Sequence, residues 1–162
     1  MKPLKNAYAD MPGFYCFACS RENPLSLKME FYHDGDEIIA PWRPLKEHQG
    51  YLDVLHGGIQ STLMDEIASW AIFVLKKTAG FTSRMTIRFK HPVSIHQEVT
   101  LRAKIQETRR NLVTVKTTLE DESGRICTEA EVTYYTFSPE EAEKRMGFPG
   151  AEAFEMNISR NP

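Results

Sequence analysis

The sequence predicts an α+β fold in which one antiparallel sheet curls around a single long helix, in the element order ββαββββ. Apolar and polar residues alternate in two segments before the middle of the chain and in four after it, which is typical of half-buried strands. Between them, residues 58–77 are apolar on nearly every side. Because each strand has one apolar face, we expect the sheet to wrap around this helix.

Short polar connections separate the six predicted strands. Two strands precede the helix, at Leu25–Tyr32 and Glu37–Trp42, and Asp34-Gly35-Asp36 between them is typical of a hairpin turn. The other four are predicted over residues 84–90, 99–106, 113–120 and 126–137. Because their connections are short, we expect these four strands to be antiparallel neighbours in chain order.

The ends of the chain differ from its middle, which we expect to form one domain over residues 25–137. Prolines and a glycine interrupt residues 1–24, so this segment is predicted to be irregular. The central helix is expected to end near Lys77, with Gly80 as its terminator. Ser138–Met146 has the pattern of a short capped helix, and residues 147–162 are expected to form a poorly ordered tail.

The net charge and the distribution of apolar residues argue against two classes of binding partner, nucleic acids and membranes. The chain has 162 residues and a net charge of −2, which gives it no electrostatic reason to bind nucleic acid or a membrane surface. No apolar stretch reaches the roughly 18 residues that a membrane span needs. The first residues lack the apolar core of a signal peptide, so we expect a cytoplasmic protein.

The three cysteines cannot all pair with one another, so a disulfide framework is not expected. Cys16 and Cys19 have the spacing of metal ligands, but zinc needs four ligands and no second pair follows. We therefore expect buried free thiols and no metal site. The alternative is a zinc site that is shared between chains or that includes His33.

The motif that points most directly to chemistry is His56-Gly57-Gly58, followed by Asp65-Glu66 within the same helix. A glycine pair leaves backbone N–H groups uncovered where a helix begins, and a helix start carries a partial positive charge. Two turns later comes a carboxylate in an otherwise apolar stretch. Donors for a developing oxyanion and a nearby carboxylate are what hydrolysis of an acyl compound requires.

Three segments, CFACSRENPLSLKMEFY, EHQGYLDVLHGGIQSTLMDE and FTSRMTIRFKHPV, together resemble the hotdog-fold thioesterases, and especially the PaaI-type acyl-CoA thioesterases. The resemblance covers about residues 14–137, and its most specific part is the acidic residue nine positions after His56. It implies a hotdog fold, hydrolysis of a small-to-medium acyl-CoA to a free acid and coenzyme A, and no separate cofactor. It also implies a homodimer or a dimer of dimers, with each site built from two chains.

The resemblance assigns roles to four positions near the motif. It implies that the Gly57 backbone N–H donates to the thioester carbonyl and that Asp65 is the general base or the nucleophile. A polar residue early in the next strand often helps to place water in this family, and Thr82 or Ser83 matches it.

One position departs from the family pattern. Some members have an asparagine six residues before the histidine, where this chain has Gly50 with Gln49 beside it, so Gln49 is the candidate for positioning the carbonyl. Gly58 and Arg84 are the further candidates for substrate binding, and basic side chains such as Arg84 can meet the phosphates of coenzyme A.

Several residues have two possible interpretations. Adjacent helical residues point about 100° apart, so only one of Asp65 and Glu66 should face a given site. The resemblance favours Asp65, and Glu66 would then face a neighbouring subunit or the loop at 43–55. We interpret His56 as a hydrogen-bonded structural residue rather than a catalytic one, and Trp70 and Phe73 as core residues rather than an acyl pocket.

Two other functions are compatible with such a chain. One is a hotdog hydratase or dehydratase, which would hydrate an enoyl thioester without releasing a thiol. The other is a non-catalytic module that binds acyl-CoA, since a fold can be kept while its chemistry is lost.

Overall fold

The structure, a computed structural model, describes residues 1–156. Seven strands form one antiparallel sheet in the order β1-β2-β3-β5-β6-β7-β4. The strands are β1 (Lys2–Pro3), β2 (Tyr32–Asp34), β3 (Glu37–Trp42), β4 (Gly80–Phe89), β5 (Val99–Arg109), β6 (Leu112–Glu120) and β7 (Ile126–Thr136). The predicted α+β hotdog architecture is confirmed, and β1 is an additional short edge strand that the sequence did not indicate.

Helix α1 (Gly57–Ala71), extended by one π-helical turn at Ile72–Lys76, packs against the inner faces of β3 to β7. The side chains on both sides of this contact are fully buried, and they include Leu63, Met64, Ile67, Leu101, Val113, Val115, Leu119 and Val132. Burying one such side chain contributes roughly 1.5–3 kcal/mol, so this contact is the main source of stability. None of the helices within residues 1–156 is long and apolar enough to span a membrane.

The helix ends near Lys77, as predicted, but Gly80 is not its terminator. Lys77 takes the left-handed conformation, with φ of 60°, and closes the last turn. Gly80 is instead the first residue of β4, where a Cβ atom would lie 2.1 Å from the carbonyl oxygen of Tyr135. A glycine is needed there because two strands approach closely and not because a helix stops.

The four strands after the helix are predicted to pair in chain order. This is correct for β5 with β6 and for β6 with β7, but β4 does not pair with β5. Strand β4 pairs with β7, and β5 pairs with β3, so β4 lies at one edge of the sheet and not beside β5. The connection between β4 and β5 crosses beside the start of α1, where Val93 is buried and its carbonyl accepts the Leu55 N–H at 2.8 Å. A short loop therefore joins strands that are not neighbours.

The predicted strand Leu25–Tyr32 is also wrong, since only Tyr32–Asp34 pairs within the sheet. Lys28 has φ of 55°, which no strand allows. The segment bonds instead to the N-terminal loop, with the Leu27 N–H donating to the Phe17 carbonyl. Of its alternating apolar residues, Leu27, Met29 and Phe31 are nevertheless buried, as the pattern indicated, whereas Leu25 is exposed.

Helix α2 (Pro139–Met146) begins as predicted, with the Ser138 hydroxyl accepting the Glu141 N–H at 3.3 Å. The expectation of a poorly ordered tail is wrong over residues 147–156. A short 3₁₀ helix at Ala151–Phe154 places Phe154 in the core, stacked on Phe73 with ring centroids 5.3 Å apart. Residues 157–162 of the expected tail lie outside the described residues.

Candidate active site

The first residue of α1, Gly57, keeps its backbone N–H free within the described part of the chain. His56 is the N-cap residue, and its Nδ1 accepts the Gly58 N–H at 2.8 Å. Among residues 1–156, no atom accepts the Gly57 N–H. The role of His56 is therefore to cap the helix, while the neighbouring Gly57 amide lies at the positive end of the helix with its hydrogen unpaired.

A cavity of about 600 Å³ opens beside this amide and is lined by Gly50, His56, Gly57, Phe89 and Lys90, among others. The Phe89 ring lies 3.5 Å from the position that a Gly57 Cβ would take, so one wall of the cavity is apolar. Lys90 supplies a cationic group at the same cavity, with its Nζ 3.2 Å from the Glu129 carboxylate. The cavity thus combines an unpaired donor, an apolar wall and a positive charge.

Gln60, which sequence reasoning missed, fixes the loop that precedes Gly57. It is buried, its side-chain amide donates to the Leu55 carbonyl at 3.0 Å, and its carbonyl accepts the Thr128 hydroxyl at 2.5 Å. A glutamine that is buried in an apolar helix must find hydrogen-bond partners. Its presence in this apolar stretch is the feature of the sequence that could have identified Gln60 as a structural residue.

Asp65 is half-buried, and two hydroxyl groups hold its carboxylate. The Thr82 hydroxyl donates to Oδ1 at 2.7 Å, and the Tyr134 hydroxyl donates between the same oxygen at 3.0 Å and the Asp65 backbone carbonyl at 2.9 Å. No donor within residues 1–156 bonds to Oδ2. Burial raises the pKa of the Tyr134 hydroxyl, which keeps it a donor. The result is an oriented carboxylate with one oxygen left for water or substrate.

Of the two alternative residues on β4, the structure brings Thr82 and not Ser83 to Asp65. A bulge interrupts the pairing of β4 with β7 between Thr82 and Arg84. The Ser83 hydroxyl donates instead to the Thr133 carbonyl at 2.9 Å, and Arg84 is exposed. Tyr134 was missed, although a tyrosine on the apolar face of a strand needs a partner for its hydroxyl.

Gln49 is not placed beside the Gly57 amide. Its side-chain carbonyl accepts the Asp53 N–H at 3.1 Å and so stabilises the loop before the helix. Gly50, next to it, is the residue that lines the cavity. A carbonyl-positioning role for Gln49 remains a prediction.

Glu66 contacts Cys16 and Trp70 and not the loop at 43–55, so its expected position against that loop is wrong. Both of its carboxylate oxygens lie 3.8 Å from the Cys16 sulfur, and Oε1 accepts the Trp70 indole N–H at 3.1 Å. Burial raises the pKa of Glu66 to about 7. The two adjacent acids point to different sides of α1, as the helical geometry predicted.

Cys16 and Cys19 meet Glu66 beside a second cavity of about 310 Å³. A hydrogen bond from the Cys19 thiol is the main reason that the pKa of Cys16 is lowered to about 6, and the same contact raises the pKa of Cys19. His33, the residue that the sequence offered as a further zinc ligand, does not belong to this group of three. It lies on β2, with its Nε2 3.1 Å from the Gly35 carbonyl. Trp70 is a core residue, as expected.

Gly57 and Asp65 do not share a site within one chain. They are eight residues apart, which corresponds to about 12 Å along the helix axis. The cavity at Gly57 is not lined by Asp65. Within one chain, the two groups therefore do not face a common cavity.

Comparison with known proteins identifies relatives of the central part of the chain. Residues 52–128 match the family described as the thioesterase superfamily. Acyl-coenzyme A thioesterase 13 of Mus musculus is 28% identical over 78 residues, which is 48% of this chain and 56% of the mouse protein. The chain thus spans about half the length of this curated relative.

Two solved structures show the same fold. The smu.793 protein of Streptococcus mutans, bound to acetyl CoA, has a TM-score of 0.65 and 13% identity, covering 80% of this chain and 98% of that chain. The E. coli PaaI protein from the phenylacetic acid degradation operon has a TM-score of 0.64 and 14% identity, covering 70% of this chain and 82% of that chain. At these identities the likeness concerns the fold alone.

Proposed function

From the hotdog fold and the match to the thioesterase superfamily, which confirm the resemblance noted in the sequence, we propose that this protein is an acyl-CoA thioesterase. It would hydrolyse a small-to-medium acyl-CoA to a carboxylic acid and coenzyme A. The observation that carries the proposal is the pair of oriented groups on α1: an unpaired Gly57 N–H at its start and an anchored Asp65 carboxylate two turns later.

The proposed chemistry assigns one task to each group. Attack on the thioester carbon produces a tetrahedral oxyanion, which the Gly57 N–H stabilises by roughly 3–4 kcal/mol. Asp65 either removes a proton from the attacking water or attacks the carbon itself. Thr82 and Tyr134 hold Oδ1, so the reaction uses Oδ2. Coenzyme A then leaves as the thiol, and the acid is released.

We infer that the active unit is at least a homodimer, because β4 has one unpaired edge among the described strands. This edge is ten residues long and carries half-exposed Phe81 and Phe89. A long exposed edge strand invites pairing with another chain. Two copies of β4 related by a twofold axis would pair antiparallel, which is a self-complementary contact.

The same pairing would assemble the site. One end of β4 contacts Asp65 through Thr82, and the other end contacts Gly57 through Phe89. Antiparallel pairing of two β4 strands places these ends opposite each other. Gly57 of one protomer would therefore approach Asp65 of the partner subunit.

Thiol release from a panel of short, medium and aromatic acyl-CoAs tests the proposed activity. We expect hydrolysis of at least one of them by the native protein, and a loss of about 10²–10⁴-fold in kcat for Asp65→Asn. Asp36→Asn, a change of an exposed carboxylate in the β2–β3 turn, is the matched control and should retain the native rate. No turnover across the panel, or an unchanged rate for Asp65→Asn, would refute the proposal.

A further inference from the structure

A second cluster of chemically reactive groups lies at Glu66, on a different face of α1 from Asp65. One ligand atom from each of Cys16, Cys19 and Glu66 lies within 4.8 Å of the other two. The Cys16 sulfur is 3.8 Å from both carboxylate oxygens of Glu66. Sulfur and oxygen ligands of a tetrahedral zinc ion are separated by about 3.5–3.8 Å, given zinc–ligand bonds of about 2.0–2.3 Å.

Hydrogen-bond donors surround this cluster in a way that suits negatively charged ligands. The Ala18 N–H donates to the Cys16 sulfur at 3.3 Å, and the Asn6 side-chain amide donates to the Cys19 sulfur at 3.4 Å. The Trp70 indole N–H holds one oxygen of Glu66. Metal ligands are typically oriented by such outer contacts.

Within residues 1–156, Glu66 forms no salt bridge. None of the residues that line the adjoining cavity is a lysine, an arginine or a histidine. Acidic groups gathered away from water need a counter-charge, and buried charges are usually paired or bound to a metal. Two thiols and a carboxylate together favour zinc over magnesium or calcium, which prefer oxygen ligands.

We propose that Cys16, Cys19 and Glu66 bind a zinc ion, with a water molecule as the fourth ligand on the side of the 310 Å³ cavity. Zinc displaces the two thiol protons to solvent, and its two positive charges offset two of the three negative charges of the thiolates and the carboxylate. The ion would join the irregular N-terminal segment to the central helix. Sequence spacing alone could not supply the third ligand, because Glu66 lies 50 residues from Cys16.

The full-length native protein allows a test that is independent of thioesterase activity. The protein is purified from zinc-supplemented medium, and its metal content is measured. A metal-free sample is then titrated with Co²⁺ under reducing conditions. We expect about one zinc per chain, near-ultraviolet absorption from cobalt–thiolate bonds, and visible bands typical of four-coordinate cobalt. X-ray absorption of the zinc protein should show two sulfur neighbours at about 2.3 Å.

Three variants and one control locate the site. Cys16→Ser, Cys19→Ser and Glu66→Gln should each weaken Zn²⁺ binding at least tenfold and remove the rise in Tm that added Zn²⁺ gives the native protein. Cys127→Ser changes a buried thiol that lies beside Asp121 instead, and it should keep full binding.

Several results would overturn this proposal. They are a native protein without zinc or a cobalt–thiolate band, binding that the cysteine changes leave intact, or a Cys16–Cys19 disulfide in the purified protein. If a variant fails to fold, the zinc content and the cobalt spectrum of the native protein still decide whether the site exists.

Discussion

At the scale of single residues, Asp65 and Glu66 show how two adjacent acids acquire different chemistry. Asp65 accepts hydrogen bonds from two hydroxyl groups and keeps one free oxygen. Glu66 lies against sulfur and an indole, and its pKa is raised to about 7 by burial. Their environments differ because the helix turns about 100° between them.

The Gly57 amide can be tested without disturbing the helix. Proline lacks the N–H group but fits the first position of a helix, and His56 before it already has φ of −60° and ψ of 134°, which suit a residue that precedes proline. We expect Gly57→Pro to lower kcat about 10²–10³-fold with little loss of stability. Gly57→Ala keeps the N–H and meets only ordinary contact with Phe89, so its kcat should stay within a few-fold of the native value. Equal kcat values for Gly57→Pro and Gly57→Ala would show that the Gly57 N–H does not stabilise the transition state.

The hydroxyl of Thr82 offers a second residue-scale prediction. Thr82→Val keeps the shape of the side chain but removes a hydrogen bond to the Asp65 carboxylate. Such bonds contribute about 1.5–3 kcal/mol, so we expect kcat to fall roughly 10–100-fold. Steady-state kinetics with the best acyl-CoA substrate measures the change. Thr100→Val, on β5 and away from the site, is the matched control; an equal loss in both variants would mean that Thr82 acts through the fold alone.

The sequence could predict the two acids, Gly57 and the candidate polar residues on β4, but it could not predict which side chains form hydrogen bonds with them. The family pattern led to Thr82, and the structure brings it to Asp65. Tyr134 is 69 residues away from Asp65, and no local pattern records such a contact. Contacts of this kind depend on which strands become neighbours.

At the scale of elements, periodicity predicted burial more reliably than it predicted pairing. The alternation over 25–32 correctly marks Leu27, Met29 and Phe31 as buried, but Leu25 is exposed and the left-handed backbone at Lys28 makes the segment a loop. Likewise, the short connection between β4 and β5 joins strands on different sides of the helix. The order of the strands in a sheet that wraps around a helix depends on long-range contacts, which the alternation of residues does not encode.

The turn between β6 and β7 depends on a carboxylate and should therefore be sensitive to acid. Hydrogen bonds, first from the Ser123 hydroxyl and then from backbone N–H groups and Arg125, hold the pKa of Asp121 well below its usual range. A group with a depressed pKa stabilises the fold above its ordinary pKa and loses this contribution as the pH falls.

The prediction for this turn is a difference in Tm between native protein and Asp121→Asn. The variant should unfold at a lower temperature at pH 6, and the gap should narrow as the pH is lowered towards 3. Thermal unfolding followed by circular dichroism measures both proteins in the same buffers. A gap that stays constant over this pH interval would show that the charge of Asp121 does not matter.

At the scale of the whole molecule, the unpaired edge of β4 is the feature that most affects function. Half-buried Ile87 lies on this edge strand, so Ile87→Lys should convert the dimer to a monomer and abolish hydrolysis together with it. Sedimentation equilibrium gives the mass, and circular dichroism checks the fold. Ile105→Lys, the equivalent change at a half-buried isoleucine of β5 that also packs against the core, should remain dimeric and active. A folded, monomeric Ile87→Lys protein with full activity would contradict the shared site.

Mixing two inactive variants tests directly whether the active site is shared between two chains. Gly57→Pro and Asp65→Asn are co-expressed with different tags, and thiol release from an acyl-CoA is measured for each protein alone and for the mixture. If Gly57 of one protomer works with Asp65 of the partner subunit, each mixed dimer contains one intact site, and random pairing should restore about a quarter of the native rate. If verified mixed dimers show no more activity than either parent, the two groups do not act together across chains.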